Sequence, residues 1–489
     1  MNDPEQQTLG LKQLIDGAWV EGSGAQATSS NPARPHESVA EYAVATSADL
    51  DRALDAAASA AAAWDKVGII ARGNILRRAA EILGRRAEEA AQLMTREQGK
   101  TLADSRGEVG ATIETLYYNA GSARRSNAAV YPSAHPDEVV RTIRRPLGTV
   151  AVITPWNFPL QIPAWKIAPA LLWGNTVVWK TASDTPATAV LFAEILEEAG
   201  VPAGVLNLLL GPGALGSELV ADPRAAAVTF TGSVQVGHQI REKSVLRGAK
   251  LQMELGGHNA AIVLPDADLS TAADFITAAA TGSTGQKCTA TRRIIAVGAV
   301  HDQLKDELVQ RFTALNVAAG TEEGAGIGPV VSERARRDID EAVSQAEAEG
   351  AEVLARAGIP EGEGHFTAPT LLGGTPDLTI CREEVFGPVA TLLRADSLDE
   401  AIELANATDF GLTASVFTSD ERSIRRCLDG LVAGLIKVNG PSTGSEVHAP
   451  FGGLRDSSHP GPREQNSDAA ADFFTITKTA YLRLAPEGD

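Results

Sequence analysis

From about residue 139 onward, short apolar runs alternate with helical segments, and this alternation restricts the chain to very few folds. Residues 150–153, 176–179, 205–210, 226–230 and 260–264 are continuously apolar or nearly so, as strands buried on both faces are. Residues 186–199 read as a helix, opened by Asp184 and Thr185 with Pro in the first turn and closed by Gly200, and 234–245 as another. The same alternation resumes around 292–300, 302–315, 397–407 and 413–418. Strands interleaved with helices imply a parallel α/β sheet. A chain of 489 residues exceeds one ordinary core, so two α/β lobes are expected. Ala-rich helices are predicted over 48–66 and 72–98, the latter stopped by Gly99. The tail, 472–483, alternates like a strand with one apolar face, which needs a neighbour, from this subunit or another.

Composition excludes several partners. With 43 Lys+Arg against 62 Asp+Glu the net charge is −19, which repels nucleic acid and anionic membranes. The N-terminus lacks a secretory pattern. The most apolar run, 153–173, is interrupted by Pro155, Asn157, Pro159, Gln161, Pro163, Lys166 and Pro169, so it is no membrane span. The three cysteines, Cys288, Cys381 and Cys427, have no metal-type spacing and suit a reducing cytoplasm; no metal site is expected. Cys381 and Cys427 read as inert buried thiols.

Three segments carry chemistry. In Gly282-Ser-Thr-Gly-Gln-Lys-Cys288-Thr, small neighbours leave the sulfur approachable, and nearby N–H groups can stabilise a thiolate or an oxyanion. In Met253-Glu-Leu-Gly-Gly257, a carboxylate precedes two glycines that let backbone come close; a partly buried Glu suits a general base. In Thr154-Pro-Trp-Asn157-Phe-Pro, two prolines hold an Asn amide, a suitable oxyanion donor. Taken singly, these also read as a Gly-rich bend beside a core Cys, a strand end, and a structural turn.

Taken together with Phe230-Thr-Gly-Ser233 and Glu383-Glu-Val-Phe-Gly-Pro388, these motifs resemble the aldehyde dehydrogenase superfamily in order and spacing. Glu254 and Cys288 lie 34 residues apart, and Glu384 follows 96 later. The resemblance runs from about residue 14 to the C-terminus. It implies an aldehyde dehydrogenase-like α/β fold and oxidation of an aldehyde to a carboxylic acid. Cys288 is the implied nucleophile, Asn157 and the Cys288 N–H the oxyanion donors, and Glu254 the base that hydrolyses the thioester. Relatives that pass the acyl group to coenzyme A are expected to lack that Glu. The implied cofactor is NADP or NAD, held without a G-x-G-x-x-G motif. Lys180 and Ser183 are assigned to the adenosine ribose, Gly232 and Ser233 to the pyrophosphate, and Glu384 to the nicotinamide ribose. Phe386 packs near the nicotinamide, and Trp156 and Leu255 complete the cofactor contacts. Ser183 stands where NAD-specific relatives usually carry Glu. Without that carboxylate a 2′-phosphate is not repelled and Lys180 is free to pair with it, so NADP is expected to be accepted.

The segments around Cys288, Phe451–Gln465 and Phe473-Phe474 are most similar to the 2-oxoglutarate semialdehyde (2,5-dioxopentanoate) dehydrogenases. Leu454 and Asp456 depart from that pattern. By position, Phe158, Gln161, Ile162, Trp165, Ser442, Phe451 and Arg455 resemble tunnel residues. Arg455, Arg292 and Arg124 are the candidate cations for a distal carboxylate. Other readings are a dehydrogenase of succinate semialdehyde or of an aliphatic or aromatic aldehyde, a non-catalytic relative, an enzyme working in the reductive direction, and a thiol hydrolase using His258. The expected division is 1–122 with 145–258 for the cofactor, 259–452 for catalysis, and 123–144 with 468–489 as an intersubunit β element. That element implies a homodimer or homotetramer.

Overall fold

The computed structural model describes residues 7–125, 128–461 and 465–483. Its centre is an eight-stranded sheet, ordered Ser458–His459, Lys250–Glu254, Ala225–Thr231, Thr149–Ile153, Thr176–Lys180, Leu206–Leu209, Gln13–Ile15 and Ala18–Val20. The five strands from Lys250–Glu254 to Leu206–Leu209 run parallel; the outer pairings are antiparallel. Every residue of Thr149–Ile153 and Thr176–Lys180 is buried. Val150 and Val152 enter one apolar core while Ala151 and Ile153 enter the other. The two-residue strand period thus serves two helix layers at once, which is why these strands read as unbroken apolar runs.

A second sheet of seven strands runs Glu352–Arg356, Thr370–Gly373, Val389–Ala395, Thr291–Val297, Asn259–Val263, Thr413–Phe417 and Leu435–Val438. It is parallel except at its first pair. Its faces alternate in the same way, with Ala260 and Ile262 in one core and Ala261 and Val263 in the other. No helix among the described residues is long and apolar enough to cross a membrane.

In the first sheet the chain steps outward from Thr149–Ile153 through Thr176–Lys180 to Leu206–Leu209, then returns to the opposite side at Ala225–Thr231. Strand order therefore reverses beside Thr149–Ile153. The crevice at the carboxyl ends of strands flanking such a reversal is where open α/β sheets take ligands. The segments that follow those two strands are Thr154–Asn157 and Gly232-Ser233.

Some elements differ from expectation. The helix predicted over 72–98 is two, Ile69–Arg85 and Ala87–Gln98, broken at Arg86, whose ψ of 16° leaves the α region; apolar periodicity is blind to a one-residue kink. Within the run 153–173, the helix Gln161–Leu172 forms despite Pro169, with Pro163 in its first turn, where no N–H is needed. The tail strand starts at Thr475, because Ala469–Ala471 favour a short helix, Ser467–Phe473, that buries Phe473. That strand pairs along its whole length with Glu138–Pro146 of its own chain, so its first neighbour comes from the same subunit. An N-terminal sheet of Leu9–Gly10, Arg34–Ala43 and Gln26–Asn31 carried no signal that the pattern reading used. Residues 1–6, 126, 127 and 484–489 of the expected divisions, and Pro462, Arg463 and Glu464 of the segment Phe451–Gln465, lie outside the described residues.

Candidate active site

The helix Leu102–Ser122 anchors one wall. Its start is capped by Thr101, whose hydroxyl accepts from the Asp104 N–H. One turn on, Glu108 is fully buried against Lys100, with Nζ to Oε2 at 2.7 Å. Lys100 also donates to the Asn157 carbonyl at 2.6 Å, and Glu108 Oε1 accepts from the Leu160 and Gln161 N–H groups at 2.9 and 3.0 Å. The turn after Thr149–Ile153 is thus pinned at both ends by one ion pair. Trp179 Nε1, donating to Thr154 Oγ1 at 2.9 Å, holds its base. The buried Asn157 amide points across to the second lobe and donates to the Gln286 carbonyl at 2.9 Å.

Gln286 belongs to the loop that carries Cys288. The helix Leu269–Thr281 gives way to Ser283, Thr284 and Gly285, all with left-handed φ. At Gly285 a Cβ would lie 2.1 Å from the Gly387 carbonyl, so only glycine allows this approach. The strain at Ser283 and Thr284 is held by fixed bonds: the Ser283 N–H donates to Asp104 at 3.2 Å, and Thr284 Oγ1 donates to the Gly328 carbonyl at 3.0 Å. Asn259 donates to the Cys288 and Ala290 carbonyls, each at 2.8 Å. Ser442 donates to the Thr289 carbonyl at 2.7 Å. The peptide planes around the sulfur are therefore immobilised from both sides.

Glu254 ends its strand beside this loop. Gly257 abuts the Cys288 segment so closely that a Cβ there would sit 2.2 Å from the Cys288 carbonyl. At Gly256 a Cβ would strike Glu384 Oε2, and Glu384 Oε1 accepts from the Gly257 N–H at 3.1 Å. The two glycines thus bring Glu254, Glu384 and Cys288 into one wall. Cys288 is partly exposed; burial of the sulfur, then the charges of Glu254 and Glu384, push its thiol up to about 12. Glu384 is itself pushed up to about 7 by burial, opposed by Arg292. Behind Glu254, the fully buried Lys166 donates to Thr229 Oγ1 at 2.9 Å and Gln465 Oε1 at 3.2 Å. Burial draws its ammonium down to about 7, opposed by Glu254.

A cavity of about 760 Å³ opens from the same crevice, lined by Trp156, Lys180, Ser183, Gly232 and Ser233 among others, within the usual size of cofactor pockets. A dinucleotide fits these residues. Ser233 stands at the N-cap of the 13-residue helix Val234–Leu246 without a side-chain capping bond, and a helix N-terminus of this kind suits an anion. The Lys180 ammonium makes no hydrogen bond among the described residues, and burial lowers it to about 8, opposed by Asp184. Ser183 Oγ donates to the Gly211 carbonyl at 3.1 Å. Leu255 is buried against Gly237. Trp156 meets Phe386 edge-on at 5.7 Å, joining this cavity to the Glu384 side.

A third region, of about 930 Å³, is lined by Phe158, Gln161, Gly282, Ser283 and Lys287 among others. Of the expected tunnel residues, Phe158 and Gln161 face it. Ile162 is buried, Ser442 serves the Cys288 loop, and Trp165 packs on Phe451 at 5.2 Å. Arg455 turns elsewhere, donating to the Asn406 carbonyl at 2.7 Å and to that of Thr408. Arg292 is buried and donates to the Gly387 and Gly285 carbonyls; Arg124 reaches Asn74 on the surface. His258 Nε2 lies 3.1 Å from the Ile380 and Glu383 carbonyls. Burial and Arg293 take its ring down to about 3, so it is neutral and shares no hydrogen bond with Cys288 among the described residues. Sequence reasoning missed Lys100, Asp104, Glu108, Asn259, Asp184 and Lys287. Lys166 was visible as a lone charge in an apolar run.

Residues 19–480 match the aldehyde dehydrogenase family. The chain is 41% identical to alpha-ketoglutaric semialdehyde dehydrogenase of Bacillus subtilis, covering 96% of this chain and 97% of the relative. It is also 41% identical to alpha-ketoglutarate semialdehyde dehydrogenase of Haloferax volcanii, covering 98% and 99%. The crystal structure of betaine aldehyde dehydrogenase from Staphylococcus aureus in complex with NAD+ superposes with a TM-score of 0.93 at 30% identity, covering 98% of this chain and 96% of that one.

Because both carboxylates disfavour the Cys288 thiolate, removing either one lowers the thiol pKa. Glu254→Gln and Glu384→Gln should each raise the rate of Cys288 alkylation by iodoacetamide at pH 8 about threefold or more. Peptide mass spectrometry over time reads this directly. Rates equal to wild type would show that neither charge reaches the sulfur.

Proposed function

Because the chain belongs to the aldehyde dehydrogenase family, we propose that it oxidises 2-oxoglutarate semialdehyde to 2-oxoglutarate through a thioester on Cys288. It is an NAD(P)-dependent aldehyde dehydrogenase. The observation that carries the proposed chemistry is the contact between the Glu254 motif and the nucleophile loop, where Gly257 lets the Cys288 carbonyl into a space no Cβ could share. Nucleophile and base are thereby fixed on one wall. The relatives named for alpha-ketoglutarate semialdehyde support the substrate.

The Cys288 sulfur, its proton released to solvent, bonds to the aldehyde carbon as the C=O π bond breaks, and the carbonyl oxygen becomes an oxyanion. Asn157 Nδ2 keeps one hydrogen beyond that given to Gln286, and with the Cys288 N–H it faces this charge. Bound NAD(P) supplies the hydride acceptor. With hydride gone, the acyl group stays on sulfur as a thioester. Glu254 then takes a proton from water as its oxygen attacks the acyl carbon; the C–S bond breaks and free acid leaves. Lys166 lies close enough to Glu254 for the carboxylate's charge to oppose the loss of that buried ammonium's proton.

The expected domain division is proposed unchanged, with the first sheet serving the cofactor and the second catalysis. We also propose a homodimer or homotetramer in the cytoplasm. Support for assembly comes from the small sheet of Val130–Tyr131, Glu138–Pro146 and Thr475–Arg483, which exposes Val130, Tyr131, Val139, Ile476, Tyr481 and Leu482.

A panel of carboxylated and uncharged aldehydes with NAD and NADP, read by kcat/KM, tests the function; the semialdehyde should lead. In the same assay Cys288→Ala should lose turnover by a factor on the order of 10³ or more while still binding dinucleotide. Turnover near that of wild type would end the thioester mechanism.

NADP acceptance rests on Ser183 and Lys180, although Asp184, lining the same cavity, tempers it. Ser183→Glu supplies a carboxylate to the ribose hydroxyls and repels a 2′-phosphate. It should move the kcat/KM ratio toward NAD by about tenfold or more. An unchanged ratio would remove Ser183 from the ribose site.

A further inference from the structure

The cations expected to receive a distal carboxylate are all committed elsewhere, and the cavity beside Phe158 and Gln161 has its own. Two basic side chains line it. Arg311 is saturated, donating to Asp274, Glu307 and Ser270. Lys287 is different. Its side chain is only 16% exposed, and its nearest counter-charge, Asp104 Oδ1, stands at 3.8 Å. No hydrogen bond engages its ammonium among the described residues.

The surroundings keep it that way. Asp104 Oδ2 already accepts from the Thr101 hydroxyl and the Ser283 N–H, and Glu108, the other carboxylate facing this ammonium, is held by Lys100. Gly282 leaves the ammonium its space: a Cβ there would stand 3.1 Å from Nζ. Burial lowers the Lys287 pKa, with Asp104 opposing, so a largely desolvated cation lies at the cavity wall. It is also the residue before Cys288. Adjacent Cα atoms are about 3.8 Å apart, and the four C–C bonds of a five-carbon semialdehyde span about 5 Å, a distance a lysine stem can match.

We infer that Lys287 is a specificity residue that binds the distal carboxylate of a semialdehyde whose aldehyde carbon is at Cys288. This rests on the functional reading above and names the group that enforces it. The carboxylate replaces hydration on the ammonium with a charge-assisted bond, while an uncharged aldehyde of the same length gains nothing there and leaves the buried cation with only Asp104 at 3.8 Å.

The test compares 2-oxoglutarate semialdehyde with pentanal in wild type, Lys287→Met and Lys287→Arg. In wild type the semialdehyde should be favoured. In Lys287→Met the ratio of kcat/KM for semialdehyde over pentanal should fall about tenfold or more, mainly through the semialdehyde KM; Lys287→Arg should keep most of the ratio. Activity of Lys287→Met on pentanal reports that it folds. A wild-type preference that survives Lys287→Met overturns the assignment and leaves the substrate reading intact. So does an equal loss on both aldehydes through kcat, which would mean that Lys287 supports the thiol. A wild type with no preference overturns the substrate reading, and the assignment with it.

Discussion

Lys100 and Glu108 form an ion pair that no water reaches, and the placement of the Asn157 turn depends on it. Burying two charges is costly unless every donor and acceptor finds a partner. Here the surplus capacity goes into backbone: Lys100 into the Asn157 carbonyl, Glu108 into the N–H groups at the start of the helix Gln161–Leu172. Losing one partner of such a pair costs about 3–5 kcal/mol because the other is left charged and buried. The turn is therefore tied to the integrity of the core. Asp104, on the same helix, reaches the Cys288 loop through Ser283, so one helix sets both the Asn157 turn and the Cys288 loop.

The electrostatics explain why such rigidity is needed. A thiol pushed up to about 12 beside two carboxylates is a poor nucleophile, and a positive charge entering the site lowers that barrier. The wall holding Glu254, Glu384 and Cys288 together is useful only if their separations stay fixed. Gly257 and Gly285 achieve this by letting backbone pack on backbone, and Gly256 by leaving room for the Glu384 carboxylate.

The parallel strands were legible because burial on both faces writes itself as unbroken apolar runs, as in Thr149–Ile153 and Thr176–Lys180. Cys288, Glu254 and Asn157 were legible because each sits among glycines or prolines that only a close approach or a fixed turn requires. The structure brings the three to one crevice. What stayed hidden is mostly charge. Lys100, Glu108 and Asp104 look like surface residues until a partner is found across 57 or 179 positions of chain. The arginines proposed for the carboxylate failed for the opposite reason: Arg292 and Arg455 are consumed by carbonyls that no pattern reveals. Phe473 and Phe474 looked like strand residues because alternation cannot see a helix end folding under the sheet.

The central claim is that chemistry passes through an acyl group on Cys288 that Glu254 releases, and a rapid-mixing experiment on Glu254→Gln tests it most directly. The variant keeps the side-chain shape and removes the base. With saturating semialdehyde and NADP it should give a burst of about one NADPH per site, then a weak steady state, with the acyl adduct on Cys288 by mass spectrometry of the quenched enzyme. Loss of the burst together with the steady state, and no adduct, would contradict the account.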